Sequence, residues 1–231
     1  MRFMMVASIP MEFPAVIARA TEERRAEVRV DWARRIRLGG NDLMLLANGA
    51  GAERASAAVD AAFDVFRPDA LVSTGFCGAL DPALAIADIV VATEVADNGR
   101  RYPAMPVISA RAHRRGVVRT NSRVVQTAEE RRSLRATGAS VVEMEAAGVA
   151  ERARIHGLPF YCVKVVTDLA GETMANDFNR ALRKDGHFDT IVLLKGTLRH
   201  PFARIRELLR LQRRSVLAAR ALGDFIADSR F

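Results

Sequence analysis

The sequence predicts a single α/β domain in which helices cover a largely buried sheet. Three observations carry this. Strand-like and helix-like segments alternate along the chain, glycines punctuate the strand ends, and residues 160–166 form a near-continuous apolar run of the kind found in strands buried on both faces.

Taken in order, residues 2–9 read as a first strand closed by Pro10, and Ala15, Val16, Ile17 and Ala20 mark a helix after it. A weakly alternating strand at 28–36 and a strong one at 41–47 follow. The run NGAGAERASAAVDAAFDVF turns through Gly49 and Gly51 into a small-residue amphipathic helix that stops before Pro68. Residues 70–73 form a short strand leading into TGFCGALDP, read as a glycine-containing turn, and 86–95 give another strand. Pro103, Pro106 and several basic residues indicate a long surface loop over 100–116. Two short strands at 117–118 and 124–125 precede a helix carrying Glu145, the apolar strand at 160–166 and a polar loop or broken helix at 171–188. A long amphipathic pattern from 191 to 226, broken at Gly196 and Pro201, closes the chain. No repeat or sharp compositional break occurs, so one domain over residues 1–195 with a C-terminal basic amphipathic helical extension over 196–231 is expected.

With 231 residues, half of them hydrophobic, the chain can bury a full core without disulfides or structural metal. Its two cysteines, Cys77 and Cys162, read as reduced thiols of a cytoplasmic protein. The apolar N-terminal stretch is broken by Pro10 and is too short for a signal h-region. A net charge of +8 favours polyanions or anionic lipid. Against nucleic acid, aromatic residues make up only 6% and are not interleaved with basic ones as stacking platforms require. The four histidines lack metal-ligand spacing, so neither a metal nor a cofactor is expected.

Several local patterns bear on chemistry. Gly49-Ala50-Gly51 sits at a strand-to-helix junction where amides can meet an anion, but it lacks the third glycine of a dinucleotide fingerprint and no Walker-type lysine follows. Thr74-Gly75-Phe76-Cys77-Gly78 ends a strand with a hydroxyl, a thiol and pliable backbone; without a paired histidine, Cys77 reads as an inert buried thiol. Glu143 and Glu145 are placed on a helix start, about 200° apart, so that only one faces a pocket and Glu143 favours the helix dipole. Asp168 lies just past a buried strand, where open α/β sheets present their chemistry.

The blocks VVEMEAAGVA, HGLPFYCVKVVTDLA and STGFCGALDPALAIADIVVATEV together resemble the nucleoside phosphorylase and methylthioadenosine/S-adenosylhomocysteine nucleosidase superfamily over about residues 1–168. The resemblance implies a central mixed sheet curled toward a barrel and flanked by helices, and a homo-oligomer. It also implies that Glu145 holds the ribose hydroxyls, that Met144 packs under the sugar, that Asp168 assists protonation of a departing purine at N7, and that the backbone around Val124 and Val125 holds the base. Glu12, Thr74, Gly75, Phe76 and Gly51 complete the expected site. Three departures stand out. The family's Met-Glu-x-Glu run appears as Met11-Glu12-Phe13-Pro14, with Pro14 in the place of the water-orienting glutamate; its Thr-Gly-Ser-Ala-Gly turn carries Phe76 and Cys77; and its strand arginine is Lys164.

The C-terminal run KGTLRHPFARIRELLRLQRRSVLAARALGDFIA resembles the tail of hopanoid-associated phosphorylase-like members. Its apolar stripe flanked by arginines suits peripheral membrane contact or packing on the domain. The expected activity is release of adenine from methylthioadenosine or S-adenosylhomocysteine, by water or by phosphate. A lipid-linked adenosine substrate and a non-catalytic nucleoside-binding protein are the alternatives.

Overall fold

The computed structural model describes residues 1–197 and 201–231; His200 lies outside the described residues. β1 (Arg2–Ala7) is followed by a 3-10 turn (Pro10–Glu12) and the single-turn α1 (Pro14–Ile17), each opened by a proline, whose missing N–H is no loss at a first helical position. β2 (Glu22–Arg25), β3 (Trp32–Leu38) and β4 (Asn41–Ala47) form an antiparallel meander, with β4 returning parallel to β1. α2 (Ala52–Phe66) buries Ala55, Ala58, Val59, Ala62 and Phe66, the single apolar face its spacing predicts. β5 (Ala70–Ala79) and β6 (Ile89–Asp97) follow, then β7 (Arg100–Pro103), β8 (Ile108–Ser109) and β9 (Arg114–Thr120). α3 (Ala128–Arg135), β10 (Ala139–Glu143), α4 (Ala146–His156) and β11 (Phe160–Asp168) build the remainder of the core unit. α5 (Phe178–Ala181), α6 (Thr190–Thr197), α7 (Pro201–Ala227) and β12 (Ser229–Arg230) end the chain.

The main sheet runs β10-β9-β6-β11-β5-β1-β4-β3-β2, with β7 on β6. β10 also pairs antiparallel with the end of β5, Val141 beside Ala79 and Val142 beside Gly78. That pairing closes β5, β11, β6, β9 and β10 into a barrel-like ring on a mixed sheet. The α/β class and the curled sheet are therefore as the sequence implied.

Four local expectations are corrected. TGFCGA continues β5 as strand, because it pairs residue by residue with β11 through Gly78. The supposed loop at 100–116 contains β7, β8 and the start of β9, whose basic residues lie on sheet edges that pairing with β6 and β12 holds in place. Residues 124–125 are irregular and not strand. Glu143 ends β10 and Glu145 is the N-cap of α4, so the two carboxylates do not share a helix.

Small-residue helices pack on both sides of the sheet. On one side α2 and α4 cover Met4, Val6, Leu71 and Val166; on the other Phe3, Met5, Tyr161 and Val163 meet Ala218, Leu222, Phe225 and Ile226 of α7. The boundary expected between residues 195 and 196 thus falls inside α6, and the last turns of α7 belong to the domain's core. Its preceding turns expose Phe202, Ile205 and Leu209. Among the described residues no helix is long and apolar enough to cross a membrane.

This division of α7 makes a prediction for urea unfolding. Phe225→Ala, at a site with no exposure, is expected to cost about 3–5 kcal/mol, whereas Phe202→Ala, at a side chain 86% exposed, stays within about 0.5 kcal/mol. Equal small effects would show α7 to be an appendage.

Candidate active site

β5, β10 and β11 end side by side, and their last residues open onto a cavity of about 220 Å³. Phe76, Gly78, Glu143, Met144, Glu145 and Asp168 line it, with Ser8 and Ile9 just past the end of β1 and with Val124 and Val125. Clefts of about 450 and 800 Å³ elsewhere are lined by the chain ends and by α7 arginines, and neither gathers two buried carboxylates.

The sugar-facing end is built on a buried ion pair. Lys164, in the middle of β11, places Nζ 2.9 Å from Glu143 Oε2 and donates to the Thr74 carbonyl at 3.1 Å. Burial disfavours the ammonium, but the Glu143 carboxylate and the other acidic groups around it together outweigh that cost and hold the Lys164 pKa above its ordinary value. Glu143 Oε2 also accepts from the N–H groups of Glu145 and Ala146 at 2.9 and 2.8 Å, and Oε1 accepts from the Thr120 hydroxyl at 2.6 Å. The strand-end carboxylate therefore satisfies the first amides of α4 as a capping side chain would.

Glu145 is buried beside this pair, and its Oε1 accepts from Gly51 N–H at 3.0 Å. Burial, reinforced by the Glu143 charge, pushes its pKa up to about 8 against the opposing pull of Lys164. Glu12 approaches from the N-terminal side. Its Oε2 accepts from Ser8 N–H and Ile9 N–H, both at 2.9 Å, and its Oε1 accepts from Phe76 N–H at 2.7 Å. Burial raises the Glu12 pKa while those amides and Lys164 work the other way. A Cβ on Gly75, which holds a left-handed φ of 120°, would lie 2.4 Å from Glu12 Oε1, so a glycine is required there. The placement of Pro14 at the start of α1 does not remove a carboxylate from this corner: Glu12 supplies it.

At the opposite end, Asp168 Oδ2 lies 2.5 Å from Arg131 Nη2, and Oδ1 accepts from the Thr167 hydroxyl at 2.9 Å. The neighbouring backbone is already engaged. Asn179 bonds both the N–H and the C=O of Val124, at 2.8 and 2.9 Å, and Arg131 donates to the Val125 carbonyl at 3.0 Å. Cys77 also borders the cavity, where burial pushes its thiol pKa well up, consistent with an inert thiol.

Of the residues expected from sequence, Asp168, Glu145, Met144, Val125 and Phe76 line one cavity. Glu12, Gly75, Thr74 and Gly51 stand behind its wall: Glu12 and Gly75 against each other, Thr74 on Lys164, Gly51 on Glu145. Sequence reasoning missed Arg131, along with Met174 and Phe188 at the rim. The only local signal for α3, which carries Arg131, is the Thr127–Glu130 capping box, whose reciprocal bonds are 3.1 and 3.0 Å.

A sequence model of the phosphorylase superfamily matches residues 3–112 and 104–187. A 5′-methylthioadenosine/S-adenosylhomocysteine nucleosidase of Geobacillus thermodenitrificans is 28% identical over 210 residues, covering 74% of this chain and 86% of that protein. One from Anoxybacillus flavithermus is 28% identical over 64% of this chain and 76% of its own length. In fold, the chain is similar to an S-adenosylhomocysteine nucleosidase of Streptococcus pyogenes in complex with 5-methylthiotubericidin, with a TM-score of 0.75 at 18% identity over 99% and 95% of the two chains. It is likewise similar to a futalosine hydrolase mutant of Helicobacter pylori, with a TM-score of 0.73 at 13% identity over 98% and 97%.

Two predictions follow from the buried charges. Lys164→Met leaves the Glu143 carboxylate unpaired and is expected to cost about 3–5 kcal/mol in urea unfolding; a loss below about 1 kcal/mol would show that the pair is not structural. Glu145, raised from 4.5 to about 8, imposes no penalty below pH 4.5 and lowers stability as pH climbs from there toward 8, while the unfolded chain ionises and the folded one does not. Glu145→Gln removes that loss, so unfolding free energies across this window should shift in the variant's favour by up to about 1.4 kcal/mol per pH unit. A pH-independent difference would contradict the assignment.

Proposed function

The chain belongs to the phosphorylase superfamily, and we propose that it cleaves the N-glycosidic bond of an adenosine-type nucleoside with water, releasing adenine. One observation carries this reading: Asp168, Met144 and Glu145 meet in a single cavity with Glu12 against its wall. The curated relatives, named as nucleosidases of 5′-methylthioadenosine and S-adenosylhomocysteine, make a 5′-thio-substituted adenosine the first substrate to test.

In this mechanism Glu145 holds the ribose hydroxyls and Met144 lies under the sugar. The C1′–N9 bond breaks with its electron pair moving to the purine, and Asp168 passes a proton to N7. Water bonds to C1′ and yields its proton to Glu12. Cleavage of this kind proceeds through a sugar that carries positive charge, and the cavity suits it. Three buried glutamates, Glu12, Glu143 and Glu145, gather their carboxyl oxygens at the sugar end, where those oxygen dipoles favour a cation, while Arg131 stands at the end where the purine gains electrons.

Hydrolysis is preferred to phosphorolysis for an electrostatic reason. The amides of Ser8, Ile9 and Phe76 converge as an anion-binding nest, and the Glu12 carboxylate already fills it. Lys164 is committed to Glu143, and Arg123, at the base end of the cavity, is paired with Glu130. A phosphate ion entering here would face a carboxylate in its own binding position.

The same proposal has the enzyme working in the cytoplasm as a homo-oligomer, with two buried free thiols. The exposed stripe of Phe202, Ile205 and Leu209, beside Arg206, Arg210 and Arg213, supports peripheral contact with an anionic membrane.

The test is chromatography of adenine and sugar products from methylthioadenosine. Wild-type protein should release adenine and free sugar at a rate unchanged by phosphate. Asp168→Asn and Glu12→Gln should each lower kcat by about 10²–10⁴-fold with the fold intact by circular dichroism. Strict dependence on phosphate, or wild-type turnover by either variant, would overturn the assignment.

A further inference from the structure

Arg131 has no part in binding the sugar or activating water, yet the fold buries it to 1% exposure in the cavity wall. No other arginine among the described residues is buried so deeply. Removing a guanidinium from water costs several kcal/mol unless its hydrogens are satisfied, and they are satisfied only in part. Nη1 donates to the Ala79 carbonyl at 3.3 Å, Nη2 donates to the Val125 carbonyl at 3.0 Å and pairs with Asp168 at 2.5 Å, and Nε has no protein partner. The neighbouring strand makes room for the pair. A Cβ on Gly78 would lie 2.5 Å from Arg131 Nη1 and 2.6 Å from Asp168 Oδ2, so any side chain there would collide with both partners.

Resting on the nucleosidase reading above, we propose that Arg131 is a positioning residue that acts through Asp168 on the departure of the purine. When the glycosidic bond breaks, its electron pair goes to the base and the Asp168 proton goes to N7. That transfer generates a carboxylate against a fixed, desolvated guanidinium, which stabilises it at the moment it forms. Thr167 holds the other oxygen, so the carboxyl keeps its orientation toward the base. Water returns the proton to Asp168 between turnovers. By also holding the Val125 carbonyl, Arg131 makes the acid and the base-side wall one unit.

A purely structural arginine and one that serves the leaving group differ in a measurable way. A nitrophenyl β-riboside offers the same ribose but leaves as a stable phenolate that requires no proton. For Arg131→Met we expect kcat on methylthioadenosine to fall by about 10²–10³-fold, the usual size of a general-acid contribution. KM should stay within about 3-fold, and nitrophenyl riboside hydrolysis within about 3-fold of wild type. Combining Arg131→Met with Asp168→Asn should cost no more than Asp168→Asn alone, because the two groups act as one.

Should Arg131→Met fail to fold, Arg131→Lys and Arg131→Gln replace it, with Lys expected to keep more of the purine-dependent rate than Gln. Equal losses on both substrates, or additive losses in the double variant, would sink the inference while leaving the nucleosidase reading standing. Wild-type protein that releases no base from any adenosine-type nucleoside would remove that reading and the inference with it.

Discussion

The Lys164–Glu143 pair is the interaction on which this molecule's working parts depend. It joins the middle of β11 to the end of β10, across the mouth of the strand ring, with both side chains almost wholly buried. Glu143 has a second duty, since it caps the first amides of α4. The placement of β10 against β11 across β5, the start of a helix and the position of Glu145 are thereby tied to one carboxylate. A buried ion pair contributes little net stability compared with well-packed apolar residues, but breaking one is costly. The pair therefore specifies a geometry more than it strengthens the fold.

From that anchor the cavity acquires its polarity. Glu145 and Glu12 are pressed into the same low-dielectric corner as Glu143, and burial raises the pKa of both, with the Glu143 charge adding to the effect on Glu145. Glycines allow the backbone to come close enough for this: Gly75 admits Glu12, and Gly78 admits the Arg131–Asp168 pair. Carboxyl oxygens at one end and a guanidinium at the other match a bond that separates into a sugar cation and an electron-rich base. The arrangement is made before any substrate arrives, which is how fixed dipoles and charges do most for a reaction.

Much of the fold was legible because its signals are local. β1, β4 and β11 are apolar runs that need no partner to be read, and α2 declares its buried face by spacing. β2 was invisible because all four of its residues are exposed, and β7, β8 and the first residues of β9 because prolines and arginines there mimic a loop while pairing with neighbouring strands makes them strand. β10 was lost for another reason: the small residues after Glu143 favour helix, and nothing local marks where the strand ends and α4 begins. In the site, Asp168, Glu145 and Met144 were found through strand-end position and family resemblance. Arg131 was not, because within AEERRSLR it looks like one more charge on a solvated helix.

The sequence by itself determined the α/β class, the order of the principal strands and which apolar faces turn inward, since hydrophobic periodicity is a property of neighbouring residues. It also held Glu145 and Asp168 as carboxylates out of keeping with their apolar surroundings, whereas Glu12 entered only through the family resemblance. Which charges are buried, and against what, only the tertiary structure decided. Glu12 meets Phe76, Glu143 meets Lys164 and Arg131 meets Asp168 across 64, 21 and 37 positions of chain, respectively. The free energy of a buried charge is set by the groups that surround it in space, and those are brought together by ring closure and by the absence of a side chain at Gly75 and Gly78.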